Sequence, residues 1–248
     1  MKLVKFLEFV SSDITPVIKS FYLKDELNPN IWDGFKIKSE VSSQLIKIAQ
    51  DFYNTTGLEA EIKDVVLTGS LANYNWSEKY SDYDLHILID FNDVSEDVDL
   101  VKKYVDAAKN NWNKEYNINI EEYPVEVYIQ DVNEPHISTG VFSLMKNKWK
   151  VRPRKRDFKI DEKEIKIKAK GLMNQIDELE SELDKPYDEF RELVKVVWDK
   201  IKNLRKSGLD SEGGEFSVGN LTFKALRRNG YIKKILQLKK EVYQKQFK

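Results

Sequence analysis

The stretch Val65-Val66-Leu67-Thr68-Gly69-Ser70, followed after eleven residues by Asp82-Tyr83-Asp84-Leu85-His86-Ile87, decides how this chain is read. Residues 64–68 form a short apolar, β-branched run that stops at a glycine, the pattern of a buried strand entering a turn. Residues 84–89, with Leu85, Ile87 and Leu88, predict a second strand. Alternate side chains of a strand share a face, so Asp82 and Asp84 should project together while Tyr83 points away. Two carboxylates held that close repel each other, and a divalent cation between them relieves the cost. Gly69 and Ser70 stand where the first strand ends and a helix can begin. Exposed backbone N–H groups and the Ser70 hydroxyl can receive phosphate oxygens there, a role compatible with Ser70 as a helix N-cap.

Working outward, residues 125–129 predict a third strand, in which Glu126 and Tyr128 alternate with apolar neighbours. Glu126 is the candidate to complete a three-carboxylate cluster. Val101, Tyr104, Val105, Ala108 and Trp112 mark a helix between the second and third strands, and Ile37, Val41, Leu45, Ile48 and Phe52 mark another ahead of the first. A further strand is expected around residues 116–120, with Glu121, Glu122 and Pro124 blurring its end. Beyond about residue 160 the pattern turns wholly helical. One stripe runs from Ile165 to Leu183 and a second from Phe190 to Leu204, broken at Lys185-Pro186, as in a helical hairpin. Residues 207–219 read as a loop, followed by a terminal helix pair broken near Asn229-Gly230.

Composition narrows the chemistry. The chain has 248 residues, no cysteine and two histidines, which excludes disulfide frameworks, cysteine-based zinc sites and thiol nucleophiles. Any metal must rest on oxygen ligands, which suits Mg²⁺ or Mn²⁺. A formal net charge of −1 gives no global attraction to nucleic acid. Lys5, Glu8 and Asp13 interrupt the amino-terminal apolar stretch too soon for a signal peptide or membrane anchor, so no membrane partner and a cytoplasmic location are expected.

With the Gly-Ser turn, the Asp-x-Asp pair about ten residues on, and a third acid on a later strand, residues 37 to 131 resemble the DNA polymerase β-like nucleotidyltransferase superfamily. The resemblance implies an α/β (α+β) fold, a mixed sheet flanked by helices, followed here by a helical carboxy-terminal domain. It also implies a nucleoside triphosphate substrate and two Mg²⁺ or Mn²⁺ ions. On the matching positions, Gly69 and Ser70 would hold the triphosphate, with Asn73 and Ser81 as neighbouring nucleotide contacts. Asp82 and Asp84 would ligate both metals, and Glu126 would bind the catalytic metal and help activate the attacking hydroxyl. Many members follow Gly-Ser with alanine, arginine and glycine, whereas this chain has Leu71-Ala72-Asn73, so an arginine contact to the triphosphate is missing. Residues 27–32 and 73–76 carry a weaker likeness to uncharacterised nucleotidyltransferases of large phages.

The expected organisation is a catalytic domain over residues 1–158, including an amino-terminal helical lead-in, and a helical domain over 159–248. His86 shares the face of Asp82 and Asp84 and reads best as a polar group satisfied beneath the site; His136 lies in a loop. The run from Lys146 to Arg156 holds seven cations, no acid and Trp149. Its Lys148, Lys150, Arg152 and Arg154 are candidate phosphate or acceptor contacts, and Trp149 can stack a base. A solvated connector explains the same run equally well; an RNA 3′ end, a protein hydroxyl, a small molecule and a second nucleotide all stand as acceptors, the basic run giving a nucleic acid a slight edge. Arg227-Arg228 and Lys233-Lys234 read as the wet face of a helix. The expected reaction is metal-dependent transfer of a nucleoside monophosphate to an acceptor hydroxyl with release of pyrophosphate. Its rival is a catalytically silent member of the fold that binds nucleic acid or a partner protein. A phosphohydrolase would want more histidine ligands.

Overall fold

The structure is a computed structural model that describes residues 13–135, 138–155 and 158–247. The backbone divides into two compact units, one within Leu23–Arg156 and the other within Met1–Tyr22 and Asp157–Lys248. The fold is mixed α/β, a mixed sheet flanked by helices with a helical carboxy-terminal part, as the sequence predicts.

After α1 (Thr15–Lys19), which belongs to the other unit, a two-stranded ribbon, β1 (Trp32–Asp33) and β2 (Lys36–Ile37), opens the first unit and precedes helix α2 (Ser39–Thr55). The main sheet is built from β3 (Asp64–Thr68), β4 (Tyr83–Ile89), β5 (Asn119–Ile120), β6 (Tyr123–Asp131), β7 (Val141–Ser143) and β8 (Lys148–Val151), with α3 (Val98–Glu115) between β4 and β5. Its spatial order is β5-β6-β4-β3-β7-β8. Among the described residues only β4 and β6 run parallel, which the α3 crossover permits; every other pair is antiparallel. Val65, Leu67, Leu85, Ile87, Val127 and Ile129 share the face that packs with Val41, Leu45 and Phe52 of α2 and Val101 and Val105 of α3. Strand alternation then sends Thr68, Asp84, His86, Glu126, Tyr128 and Gln130 to the opposite face.

Two local expectations change in this unit. The strand looked for at residues 116–120 shrinks to β5, because Glu121 (φ 47°) and Glu122 (φ 70°) form a two-residue hairpin turn straight into β6. The run from Lys146 contains strand β8, paired with β7, rather than a connector alone. The short strands β1, β2 and β7 are too brief to show a hydrophobic period.

The second unit holds α1 (Thr15–Lys19), α4 (Glu162–Ser181), α5 (Tyr187–Asp210), α6 (Val218–Arg228) and α7 (Tyr231–Lys245). The lead-in expected with the catalytic domain therefore groups with the helices instead. Arg228 donates from Nη1 to Ser20 Oγ at 2.6 Å, and Tyr22 donates to Glu162 Oε1 at 2.7 Å. The stripes Ile165, Leu172, Ile176 of α4 and Phe190, Val194, Ile201 of α5 are buried, and both helices pack on α6. The loop expected from residue 207 begins later, since α5 runs on to Asp210. Gly208 and Gly219 explain the extension: a Cβ on Gly219 would meet the Leu204 carbonyl oxygen at 2.5 Å, so α5 and α6 cross too closely for any larger residue. Gly230, at φ 81°, makes the left-handed break between α6 and α7.

Lys234 is a further correction. It is not on a wet face: only 7% of its surface is exposed, and its ammonium bonds Asp177 at 2.6 Å and Glu180 at 2.7 Å, pinning α7 to α4.

Candidate active site

Strand β3 delivers the chain to Gly69, whose φ of 72° and ψ of −158° are open to glycine and costly for other residues. A Cβ there would also run into the Asp84 carboxylate, so the missing side chain lets the backbone approach that acid. A short 3-10 turn, Ser70–Ala72, follows. The N-cap position of this turn falls on Gly69 and not on Ser70, which is its first residue. The Ser70 hydroxyl lies 2.7 Å from that of Ser81, which also accepts from the Ser77 N–H at 2.9 Å. This contact ties the Gly-Ser turn to the residue immediately before Asp82.

The carboxylates converge. Asp84 of β4 stands directly opposite Glu126 of β6 in the parallel register, and Asp84 also pairs with Thr68 across the β3–β4 ladder. One carboxylate oxygen from each of Asp82, Asp84 and Glu126 lies within 4.8 Å of the other two, and all three residues are partly buried. The donor set is entirely oxygen and carries a formal charge that a small hard dication offsets, so these residues fit Mg²⁺ or Mn²⁺.

Tyr128, two residues beyond Glu126 on the same face, donates its hydroxyl to Glu126 Oε2 at 2.5 Å. Burial drives the Tyr128 pKa upward, and the bond to Glu126 with the charges of Glu126, Asp84 and Asp82 drives it further, so the phenol stays protonated and donating. Sequence alternation put Tyr128 on this face without giving it a role. His86 sits below the acids, as expected: its ring stacks on Tyr128 at 4.7 Å with 14° between planes, and its Nδ1 is 2.9 Å from Gln130 Oε1. His136 lies outside the described residues. A cavity of about 380 Å³ opens on this sheet face, lined by Thr68, His86, Tyr128 and Gln130 with Lys102 and Asp106 of α3.

Other candidates are committed elsewhere. Asn73 is buried, its amide donating to Thr139 Oγ1 and its carbonyl accepting from the Tyr74 N–H at 2.8 Å, so it braces the loop. Leu71 and Ala72 are fully buried, and Trp32 donates to the Leu71 carbonyl at 2.8 Å.

The basic run is largely engaged within its own unit. Trp149 stacks on Trp32 at 4.7 Å and donates to the Phe35 carbonyl at 2.8 Å, so its ring serves the core and not a base. Lys150 and Lys146 lie 3.8 and 3.9 Å from the buried carboxylate of Asp64. The Arg152 guanidinium sits 3.7 Å over the Phe35 ring, and Lys155 pairs with Asp25 at 3.1 Å. All of these cations are exposed, as are Lys148 and Arg154, and Arg156 lies outside the described residues. Among the described residues no helix is long and apolar enough to cross a membrane.

Comparison with known proteins finds no matching family model and no matching curated protein. Among solved structures, the STING-associated CdnE c-di-GMP synthase from Capnocytophaga granulosa is similar over 98% of this chain and 89% of that chain, at 14% sequence identity and a TM-score of 0.23. None of these comparisons supports the phage likeness.

Proposed function

We propose that the protein is a metal-dependent nucleotidyltransferase that moves a nucleoside monophosphate from a nucleoside triphosphate to an acceptor hydroxyl. The observation that carries this reading is the convergence of Asp82, Asp84 and Glu126 beside a glycine whose backbone closes on Asp84.

Asp82 and Asp84 would hold two ions and Glu126 the catalytic one. When bound, such ions stabilise the attacking and leaving oxygens of an in-line displacement. The protein's own contribution is placement. Gly69 and Ser70, fixed by the Ser70–Ser81 contact, offer backbone N–H groups to triphosphate oxygens at the end of β3. The acceptor oxygen bonds to the α-phosphorus as the bridging bond to the β-phosphate breaks, pyrophosphate departs, and Glu126 helps draw off the hydroxyl proton. With Trp149 packed on Trp32, Lys150 beside the Asp64 carboxylate and Arg152 over the Phe35 ring, the basic run no longer favours a nucleic-acid acceptor over a small molecule, a protein or a second nucleotide.

The test is incubation with each labelled nucleoside triphosphate, Mg²⁺ or Mn²⁺ and candidate acceptors, repeated with Asp82→Ala/Asp84→Ala. Metal-dependent pyrophosphate release that the double variant abolishes supports the reading. Release that survives it removes these acids from the site, and no release under any condition favours the silent binding module.

A further inference from the structure

Glu126 differs from the two aspartates in reach. It carries one more rotatable bond, so holding its carboxylate in one place costs more side-chain entropy than holding Asp82 or Asp84. It must nevertheless meet Asp84 across a single pair of neighbouring strands, within the 4.8 Å cluster. Some contact has to select one rotamer.

Tyr128 supplies that contact, and it is itself held from three elements. Its hydroxyl donates to Glu126 Oε2 at 2.5 Å along β6. Its ring stacks on His86 of β4, whose imidazole is fixed by Gln130. The ammonium of Lys109, from α3, lies 5.0 Å over the same ring and is anchored by Asp106 at 3.1 Å. A phenol pinned in this way presents its O–H from a fixed point, and a hydrogen bond to an ionised carboxylate is among the stronger and more directional ones.

We infer that Tyr128 is the positioning residue for Glu126: by occupying Oε2 it fixes the carboxylate and leaves Oε1 as the third ligand beside Asp82 and Asp84. This inference rests on the metal-site reading above. Partners that orient a ligand typically contribute 10- to 100-fold to metal affinity, so removing one oxygen from Tyr128 should be felt by the ion although Tyr128 does not touch it.

The experiment compares Mn²⁺ binding, followed by electron paramagnetic resonance, in the unmodified protein, Tyr128→Phe and Asp82→Ala/Asp84→Ala. Phenylalanine keeps the ring and its stack on His86, and metal-free thermal melting checks that the variant folds as the parent does. The expected result is Mn²⁺ affinity roughly 10-fold weaker in Tyr128→Phe, with kcat lowered and KM for the triphosphate little changed. Binding that is lost in the double aspartate variant but unaltered in Tyr128→Phe overturns the role of Tyr128 and leaves the site standing. Binding that is absent from the unmodified protein, or unaltered in the double variant, overturns the site and Tyr128's role together.

Discussion

Asp84 and Glu126 face one another across the β4–β6 ladder, the only parallel pairing of the main sheet among the described residues. Parallel pairing between β4 and β6 rests on the α3 crossover, and it sets two acids that are distant in sequence side by side on the face away from the core. A one-residue slip would send Glu126 into the apolar layer and Val125 or Val127 to the site.

Metal-linked stability follows from that pairing. Ions bound at the carboxylates should stabilise the fold by about 2.7 kcal/mol at a hundred times their dissociation constant. Thermal melting should therefore rise with Mg²⁺ or Mn²⁺ in the unmodified protein and stay flat in Asp84→Asn, which should also lose pyrophosphate release. An equal rise in both would place the ions elsewhere.

Gly69→Ala should harm both stability and activity. The left-handed backbone costs an alanine about 1–3 kcal/mol, and its methyl group would collide with the Asp84 carboxylate. Urea unfolding should show the loss, and pyrophosphate release should fall by more than the unfolded fraction explains.

Lys234 gives the helical unit an alkaline limit. Burial works against its charge, but the bonds to Asp177 and Glu180 outweigh burial and raise its pKa above the ordinary 10.5. A raised lysine pKa stabilises the fold fully below that ordinary value, and the contribution fades as pH rises through the higher folded value. Lys234→Met should cost about 1–3 kcal/mol at neutral pH. In chemical denaturation the gap between the two proteins should narrow above pH 10.5; a constant gap would remove the ion pair as its cause.

The basic run should divide by position. Trp149→Ala removes a ring stacked on Trp32 and should destabilise the fold by about 3 kcal/mol. Lys148→Ala/Arg154→Ala changes exposed side chains and should leave stability within about 0.5 kcal/mol. If the double variant instead abolishes binding of a labelled oligonucleotide by the unmodified protein, these cations serve a nucleic acid.

Much of this was legible because periodicity and turn chemistry are local. The β-branched run into Gly69, the alternation along residues 84–89 and 125–129, and the helical stripes from Ile165 onward each declare an element within a few residues. The stops at Pro186 and Gly230 are equally local, because one residue lacks a backbone donor and the other tolerates a left-handed turn. Very short strands such as β1 and β7 have no period to read. Gly208 looked like a loop residue because nothing nearby reveals that it packs against Gly219 of α6.

The sequence by itself determined the order of parts: a strand, a Gly-Ser turn, a pair of aspartates two residues apart, a later strand bearing Glu126, and a helical second half. Those follow from side-chain alternation and backbone preference, which act between near neighbours. Only the tertiary structure decided that Glu126 lies opposite Asp84, that Tyr128 bonds it, and that Trp149 and Lys150 turn into their own unit. Strand register and the fate of a long amphipathic side chain depend on which distant surfaces are buried together, and that is a property of the packed chain.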